Sequence, residues 1–353
     1  MAFKHQNRGL IKVAKDDAIV ANIPYPSLRD DYIIVRTVAV ALNPADWQDL
    51  GEDFKAASTP LLIGCDYAGF VEAVGKDVTK DLKKGDRVMG CTHGTNEVNP
   101  EDGAFAEYIT AKGDVTVKIP SNLSFSEAAT LPGGLGMAAL ALYRHLKLPL
   151  LPATVPEGLW ILVYGGSSAS GTLAIQFAKL SGLKVVSTCS PRNFDLVKKR
   201  GADVVFDYRD PDCAKKIREL TADKLTLVLD TIATPETAKI SAESMSSGKG
   251  GIYCNLMGVD SPRSDVESVF FLGYTALGES YMYGGEEWPV VPEDYELVKK
   301  FLTLSESLLE EGKIIPHPSA IRHGGLEGIL NGMDDLKNKR VSGEKLVYVI
   351  GDE

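Results

Sequence analysis

A short turn rich in glycine and serine, GGSSASG, has residue types and spacing that predict chemistry. Gly166, Ser168 and Gly171 follow the spacing G-x-G-x-x-G, with serine in the middle position. In dinucleotide-binding turns the first glycine makes the bend, the second lets the pyrophosphate approach, and the third lets the helix pack on its strand. The hydroxyls of Ser167, Ser168 and Ser170 can donate to phosphate oxygens beside a helix N-terminus. A purely structural turn is the alternative, but the apolar run WILVY before it and the helical pattern after it favour cofactor binding.

The residues that select NAD or NADP usually lie about 20 residues further on, at the end of the second strand of the βαβ unit. In proteins that bind NAD, an acidic side chain there accepts a hydrogen bond from the ribose 2′-hydroxyl. This sequence has no acid there. It has a hydroxyl, a guanidinium and an amide, at Ser190, Arg192 and Asn193, with Pro191 between them. These groups suit a 2′-phosphate, so we predict NADPH. A helix cap with an exposed arginine remains the other interpretation.

The composition excludes several functional classes. The chain has 353 residues, of which 44% are hydrophobic and 24% charged, so it can bury a large core in two domains. A net charge of -10 and the lack of a basic cluster argue against nucleic acid. Five cysteines without metal-ligand spacing favour a reducing compartment. We find no signal peptide and no apolar run of the roughly 20 residues that span a bilayer, so we expect a cytoplasmic protein that does not associate with a membrane.

The elements that must position these residues change character along the chain. Short strand patterns dominate the first third, beginning with IIVRTVAVAL at Ile33. A capping box at Ser124 and Glu127 then opens a long helical pattern that we expect to bridge two domains. From Trp160 onward, apolar strand patterns alternate with helices of about 10 to 15 residues, which predicts a doubly wound parallel sheet. Two helices and a final strand close the chain.

Six segments give the chain its resemblance to a known superfamily. They are LNPAD at Leu42, GCDYAGFVEAVG at Gly64, KKGDRV at Lys83, GAFAEY at Gly103, AATLP at Ala128 and IQFAK at Ile175. With them the chain resembles the zinc-free medium-chain dehydrogenases/reductases over nearly its whole length. More narrowly, LVYGGSSAS, TCSPRNFDLVKKRGADVVFDYRDP, EEWP and VSGEKLV resemble the trans-acting enoyl reductases of fungal polyketide biosynthesis.

The resemblance implies an α/β fold in which a GroES-like β-rich domain accompanies a Rossmann domain with a doubly wound parallel sheet. We expect the first part of the GroES-like domain at residues 1–128, the NADPH-binding Rossmann domain at 129–290, and a return to the first domain at 291–353. It also implies cofactor contacts at Ala45, Asp46, Trp47, Gln48, Ser167, Ser168, Ala169, Ser170, Ser190, Pro191, Arg192, Asn193, Tyr208, Leu256, Met257, Val341 and Ser342.

The same resemblance implies a substrate pocket formed by two segments. Its residues are Met137, Ala138, Ala139, Leu140, Ala141, Leu142, Tyr143, Arg144, His145, Phe271, Leu272, Gly273, Tyr274 and Thr275. Apolar members such as Leu140 and Leu142 are more often core residues than ligand contacts. Some relatives carry lysine and threonine where this chain has Gln48 and Met137, which makes these two residues candidates for the pocket.

The resemblance also bears on zinc. The position of the first zinc ligand, a cysteine in zinc enzymes, is Asn43, and the GHE signature becomes Gly64, Cys65 and Asp66. Cys91 and His93 lie near each other but lack partners in the sequence. We therefore predict no metal.

Without zinc, hydride transfer suits an acceptor that is already conjugated, such as an α,β-unsaturated thioester or ketone. We predict NADPH-dependent reduction of such a double bond, on an enoyl substrate carried by a polyketide synthase partner. A free-standing quinone or enone reductase is the alternative, and a non-reducing auxiliary NADPH-binding protein is a third hypothesis. We identify no catalytic acid. Tyr274, Tyr281 and Tyr283 are either proton donors or packing residues, and the stretch YMYGGEEWPVVPEDYE is either a substrate lid or an exposed connector.

Overall fold

The computed structural model describes residues 7–53, 60–248 and 250–353. Its strands in chain order are β1 (Asn7–Ala14), β2 (Asp17–Ile23), β3 (Tyr32–Ala41), β4 (Leu61–Leu62), β5 (Asp66–Val74), β6 (Arg87–Cys91), β7 (Tyr108–Lys112), β8 (Val117–Lys118), β9 (Trp160–Tyr164), β10 (Lys184–Cys189), β11 (Val204–Asp207), β12 (Leu227–Asp230), β13 (Ile252–Asn255), β14 (Glu267–Phe270), β15 (Tyr281–Tyr283), β16 (Glu286–Trp288), β17 (Ser319–Arg322) and β18 (Lys345–Val349).

The helices in chain order are α1 (Pro44–Leu50), α2 (Phe125–Ala128), α3 (Pro132–Ala138), α4 (Ala169–Leu180), α5 (Phe194–Lys199), α6 (Cys213–Leu220), α7 (Pro235–Ser244), α8 (Pro292–Glu310) and α9 (Gly325–Lys337). A π-helix covers Ala139–His145, and short 3-10 helices cover Gly113–Val115, Pro191–Asn193 and Gly273–Leu277. Among the described residues, no helix combines the length and the apolar character needed to cross a membrane.

The chain divides into two compact units. The first comprises Met1–Gly133 with Tyr274–Glu353, and the second comprises Gly134–Gly273. The sequence placed the boundaries at 128/129 and 290/291. Residues 274–290 belong to the first unit because their aromatic side chains pack there, with the ring of Tyr274 stacked on His93.

The first unit is built on a sheet with the order β17-β18-β3-β5-β6-β8, in which β7 also pairs with β3. A smaller sheet has the order β2-β1-β4. Every residue of β3 except Arg36 is buried, because the strand lies between neighbours in the larger sheet. The core between these layers includes Leu10, Phe105 and Ile329, each fully buried.

The second unit is a parallel sheet with the order β11-β10-β9-β12-β13-β14. Numbered from β9 as the first strand, this order is 3-2-1-4-5-6, the arrangement of doubly wound dinucleotide-binding domains. Strands with buried Val and Leu alternate with helices, as the sequence predicted, because both faces of a parallel sheet are covered. The predicted fold class is confirmed.

The long helix expected after Ser124 is interrupted. The capping box is present, with Glu127 N donating to Ser124 Oγ at 3.2 Å and Ser124 N donating to Glu127 Oε2 at 3.0 Å. Yet α2 ends at Ala128, and α3 begins at Pro132, a residue that lacks an N–H and starts helices rather than continuing them. The helix then widens into the π-helix, a form often found at functional sites.

Candidate functional site

The glycine turn between β9 and α4 is tight enough to exclude side chains at three positions. Gly165 has φ +78°, a left-handed conformation, and a Cβ there would lie 2.5 Å from Thr231 Oγ1. A Cβ at Gly166 would lie 2.0 Å from Ser187 Oγ. At Gly171 it would lie 2.4 Å from the carbonyl oxygen of Gly165. The backbone at the start of α4 is therefore bare, as binding of a pyrophosphate at a helix N-terminus requires.

Ser168 is the N-cap of α4. Its Oγ accepts a hydrogen bond from the N–H of Gly171 at 2.9 Å and lies 2.9 Å from Thr231 Oγ1. The hydroxyl of Thr231 donates to the carbonyl oxygens of Tyr164 and Gly165, at 2.9 and 3.1 Å. Because the proton of Thr231 points to these carbonyls, Ser168 must donate its own proton to Thr231. The sequence led us to expect this hydroxyl as a phosphate donor, but in the structure its proton serves the turn.

The cofactor residues predicted in the second unit follow the carboxyl ends of parallel strands, and these ends share one edge of the sheet. Partly exposed Ser167, Ala169 and Ser170 follow β9, and Ser190 follows β10, with exposed Pro191 and Arg192 and buried Asn193. Tyr208 follows β11 and is 38% exposed. Leu256 and Met257 follow β13. The fold thus gathers the predicted set at the edge where such ligands bind.

One acid at this edge is neutralised. Asp207 ends β11 opposite Cys189, and its carboxylate accepts hydrogen bonds from Arg209 Nε at 3.0 Å and Nη2 at 3.1 Å. These hydrogen bonds lower the pKa of Asp207. Arg192 is exposed and forms no ion pair within the described residues. The charge of Asp207 is therefore offset by Arg209, and the guanidinium of Arg192 stays exposed at the end of β10.

The two predicted substrate segments meet at two places. The ring of His145 stacks on Phe271, with centroids 4.7 Å apart and planes at 26°. A Cβ at Gly273 would lie 2.9 Å from the Sδ of Met137, so the backbone at Gly273 passes close to that side chain. Met137, His145 and Leu272 are partly exposed, and Arg144 is exposed. The ends of the first segment adjoin the second.

The middle of the first segment is core, which corrects the prediction for six residues. They are Ala138, Ala139, Leu140, Ala141, Leu142 and Tyr143, and each is 7% exposed or less. The hydroxyl of Tyr143 is also engaged, lying 2.9 Å from Ser181 Oγ. The caution that Leu140 and Leu142 are more often core residues is thus justified, because apolar side chains on a central helix pack inward.

In the first unit, α1 carries four predicted cofactor residues. Ala45, Trp47 and Gln48 are partly exposed, whereas Asp46 is 2% exposed. Asp46 Oδ2 accepts from the backbone N–H of Asn43 at 2.6 Å, which closes a capping box, and Oδ1 has no hydrogen-bond partner within the described residues. Burial raises the pKa of Asp46 to about 8. Its side chain is therefore a helix cap, protonated at neutral pH.

A buried ion pair joins distant segments of the first unit. Lys345 Nζ donates to Asp66, and the two side chains are 3% and 0% exposed. The ammonium also donates to Asn43 Oδ1 at 2.9 Å, and Asn43 Nδ2 donates to Asp66 Oδ2 at 3.0 Å. The N–H of Gly133 donates to the other carboxylate oxygen at 2.8 Å. We call Asn43, Asp66, Gly133 and Lys345 the lysine cluster.

The lysine cluster bears on zinc, because Asn43 and Asp66 occupy positions that the resemblance relates to a zinc site. Their side-chain oxygens already contact an ammonium group, and a second cation there would be repelled by it. Asn43 also replaces a thiolate, the donor that zinc prefers. In the described part of the chain, no three side chains of His, Cys, Asp and Glu gather as a metal site requires. These residues do not fit zinc.

A second cluster surrounds Tyr274 in the first unit. The ring of Tyr274 stacks on His93, with centroids 3.6 Å apart and planes at 16°. Its hydroxyl donates to Asp49 Oδ2 at 3.4 Å and lies 3.8 Å from Cys65 Sγ. Asp49 directly follows Gln48 on α1, so the predicted substrate residue Tyr274 contacts the helix of predicted cofactor residues. We call Tyr274, Asp49, His93 and Cys65 the tyrosine cluster.

The stretch that we read as a lid or a connector begins with a β-hairpin. β15 and β16 flank Gly284 and Gly285, whose φ values of +63° and +79° give the two-residue turn that hairpins favour. The rings of Tyr281 and Trp288 stack across the strands with centroids 6.1 Å apart. Tyr281 is 2% exposed, and its hydroxyl has no partner within the described residues.

The remaining predicted residues lie elsewhere in the first unit. Val341 is partly buried against its core, and exposed Ser342 precedes β18. Thr275 is 6% exposed. Sequence reasoning missed Thr231, Asp49 and Lys345, because each acts through a partner that is distant along the chain. The only local signal was a lysine at the start of an otherwise apolar strand, EKLVYVI.

Comparison with known proteins defines the class. The family model described as an alcohol dehydrogenase GroES-like domain matches residues 29–121, and the model described as a zinc-binding dehydrogenase matches residues 169–294. An alcohol dehydrogenase superfamily protein from Novosphingobium aromaticivorans has a TM-score of 0.79 at 20% identity, over 98% of this chain and 100% of its own. The CurK enoyl reductase has a TM-score of 0.76 at 20% identity, with the same coverage. The fold is that of the medium-chain dehydrogenases/reductases.

Curated relatives narrow the class. Trans-enoyl reductase ACTTS2 of Alternaria alternata is 49% identical over 97% of this chain and 98% of its own length. Trans-enoyl reductase resD of Aspergillus sclerotiorum is 42% identical over 94% of this chain and 96% of its own length. The chain belongs to the trans-enoyl reductase family. It is an oxidoreductase that reduces an activated carbon-carbon double bond with a nicotinamide cofactor, as the sequence predicted.

Proposed function

We propose that this enzyme uses NADPH and reduces enoyl chains held as thioesters on the carrier of a polyketide synthase, with which it acts in trans. The family membership supports the partner, since the relatives are named trans-enoyl reductases. We also propose that it works in the cytoplasm, where its cysteines, which are free thiols at all five positions, stay reduced.

The observation that carries the choice of NADPH is the charge at the end of β10. Arg192 is exposed there beside Ser190, whose side chain makes no cap hydrogen bond. The nearby Asp207 is held by Arg209 and cannot repel a phosphate strongly. A planar guanidinium can bind a 2′-phosphate through two hydrogen bonds, which are charge-assisted.

Arg192→Ala therefore should weaken NADPH binding about 10-fold to 100-fold while changing NADH binding less than about 2-fold, because only NADPH carries the 2′-phosphate. Titration of the purified variant by nicotinamide fluorescence measures both affinities. Lys198→Ala is the control, since this lysine is exposed on α5 and outside the predicted contacts. Equal losses of NADPH and NADH affinity would refute the role of Arg192.

The residues of each unit then have distinct tasks. The bare backbone at Gly166 and Gly171 and the N-terminus of α4 hold the pyrophosphate. The resemblance also assigns cofactor contacts to Ala45, Trp47 and Gln48 on α1, and these three residues are partly exposed. When bound, the cofactor supplies a hydride to the β-carbon of the conjugated double bond. The amide of Gln48 can donate a hydrogen bond to the carbonyl oxygen, on which negative charge develops.

The substrate class is tested by NADPH oxidation with an enoyl thioester, a simple enone and a naphthoquinone in parallel. We expect turnover that prefers the thioester, and addition of an acyl carrier domain bearing the same enoyl group should lower KM further. Preference for the quinone would favour the free-standing reductase. NADPH binding without turnover of any acceptor would favour the auxiliary binding protein and contradict the proposal.

A further inference from the structure

The tyrosine cluster contains acids and bases that the proposed reaction has not yet used. Tyr274 Oη has two polar neighbours, Asp49 Oδ2 at 3.4 Å and Cys65 Sγ at 3.8 Å. Thr95 Oγ1 also donates to Asp49 Oδ2, at 3.4 Å. The stacked ring of His93 fixes the plane of the phenol. The hydroxyl is thus oriented by the carboxylate, while its ring is held by a flat contact.

The protonation states of the tyrosine cluster make Tyr274 its proton donor. Burial lowers the pKa of His93 to about 3, so the imidazole is neutral at pH 7. Burial raises the pKa of Asp49 to about 6, so this carboxyl is mostly ionised there and accepts hydrogen bonds. Burial, together with the charges of Cys65 and Asp49, raises the pKa of Tyr274 well above its ordinary value. Tyr274 therefore keeps its proton across the working pH range.

We propose that Tyr274 is the catalytic acid that delivers the proton to the α-carbon of the substrate, and that Asp49 is the positioning residue that aims its hydroxyl. This inference rests on the proposed function. After the β-carbon has accepted the hydride, the electron pair of the enolate forms the new C–H bond at the α-carbon. The Oη–H bond of Tyr274 breaks, the oxygen keeps the electron pair, and water returns the proton to the phenolate. Because an α-carbon is a much weaker acid than a phenol, the transfer is favourable even with a buried tyrosine.

The position of Tyr274 distinguishes it from the other candidate acids. It directly follows Gly273 in the predicted substrate segment, and its hydroxyl contacts the residue after Gln48 on α1. Tyr281 is 2% exposed within the hairpin, and its hydroxyl is unpartnered within the described residues, so no carboxylate aims it. Asp46 is equally buried and caps a helix.

The test is reduction in D₂O, with the facial position of deuterium at the α-carbon of the product read by nuclear magnetic resonance. Wild-type enzyme should deliver deuterium to one face. Tyr274→Phe should lower kcat about 10²-fold to 10⁴-fold and place deuterium on both faces, because water then protonates the enolate without direction. Tyr25→Phe is the matched control and should leave rate and face unchanged, because Tyr25 is 37% exposed and lies outside the predicted substrate segments, the hairpin and the tyrosine cluster.

If Tyr274→Phe still placed deuterium on one face of the α-carbon, the proposal would be overturned whatever the rate of turnover. A residue with a merely structural role would change stability when replaced, and would leave the stereochemistry of protonation unchanged. Should that variant fail to fold, Asp49→Asn replaces it. We expect this variant to lower kcat about 10-fold and reduce facial selectivity, with NADPH affinity unchanged. If Asp49→Asn kept the wild-type kcat and still placed deuterium on one face of the α-carbon, the proposal would be overturned.

Both an enoyl thioester and a simple enone are used as acceptors. Wild-type turnover of the enone alone would contradict the proposed substrate class, while the facial test of Tyr274 proceeds on the enone. Wild-type turnover of neither acceptor would contradict the proposed function and this inference together.

Discussion

Replacing Lys345 with methionine should destabilise the first unit more than any exposed charge replacement. The substitution keeps an unbranched side chain of similar length and removes the ammonium. Asp66 would then hold a charge at a site that is 0% exposed, and the donors left to it within the described residues are the N–H of Gly133 and the amide of Asn43. Asn43 Oδ1 would lose its donor as well.

The expected magnitude follows from that environment. Removing one partner of a buried ion pair costs about 3–5 kcal/mol, because the remaining charge stays buried without compensation. For a unit of this size, each kcal/mol shifts Tm by roughly 2–4 °C, so we expect Tm to fall by roughly 6–20 °C. The double variant Lys345→Met with Asp66→Asn should recover more than half of the loss, since it removes both charges.

Differential scanning calorimetry of the full chain, supported by urea unfolding, measures these changes. The control is Lys215→Met, which breaks an exposed pair with Glu219 whose side chains are 72% and 66% exposed, and this variant should cost less than about 1 kcal/mol. A loss below about 1 kcal/mol for Lys345→Met, or a double variant no more stable than the single one, would refute our account of the lysine cluster.

Two further predictions concern the glycine turn and the hairpin. In a double-mutant cycle, Ser168→Ala and Thr231→Val should each weaken NADPH binding and show a coupling free energy of about 0.5–1.5 kcal/mol, because one hydrogen bond joins the two hydroxyls. Fluorescence titration measures the NADPH affinities of the two single variants and the double variant. Strictly additive losses would contradict the predicted coupling. Trp288→Ala should raise KM for the acceptor severalfold and leave NADPH affinity unchanged, since it removes the ring stacked on Tyr281. Steady-state kinetics measure both quantities. Weakened NADPH binding would argue against a substrate role for the hairpin.

The sequence predicted what depends on local pattern and missed what depends on distant pairing. The strands and helices from Trp160 onward were predicted because apolar periodicity and turn residues are read within a few positions. The prediction of one long helix after Ser124 was wrong, because a new helix begins at Pro132. The π-helix that follows was missed because its pattern of apolar residues looks the same in the sequence as that of an α-helix. The bond between Lys345 and Asp66 joins residues 279 positions apart, and a lysine at the start of an apolar strand does not reveal which residue it pairs with.

The candidate site divides in the same way. The glycine turn and the residues that follow the strand ends could be placed at one edge of the sheet because topology fixes their positions once the strands are known, and their contact with a cofactor stays a prediction. The buried middle of the first substrate segment was misassigned, since the sequence cannot tell which face of Leu140 or Ala141 points inward. Tyr274 was one of three tyrosines that the sequence left equal, and its contact with Asp49 became visible only in the structure.

Ser168, the N-cap of α4 in the glycine turn, also affects the unfolded chain. A glycine at position 168 would have many backbone conformations to lose on folding, whereas serine has fewer, and its φ of -74° is one that any residue adopts without strain. Such a difference contributes about 0.4–1 kcal/mol in favour of the folded turn. The turn between β9 and α4 therefore gives up less entropy when the chain folds, and serine at position 168 makes it more stable than glycine would.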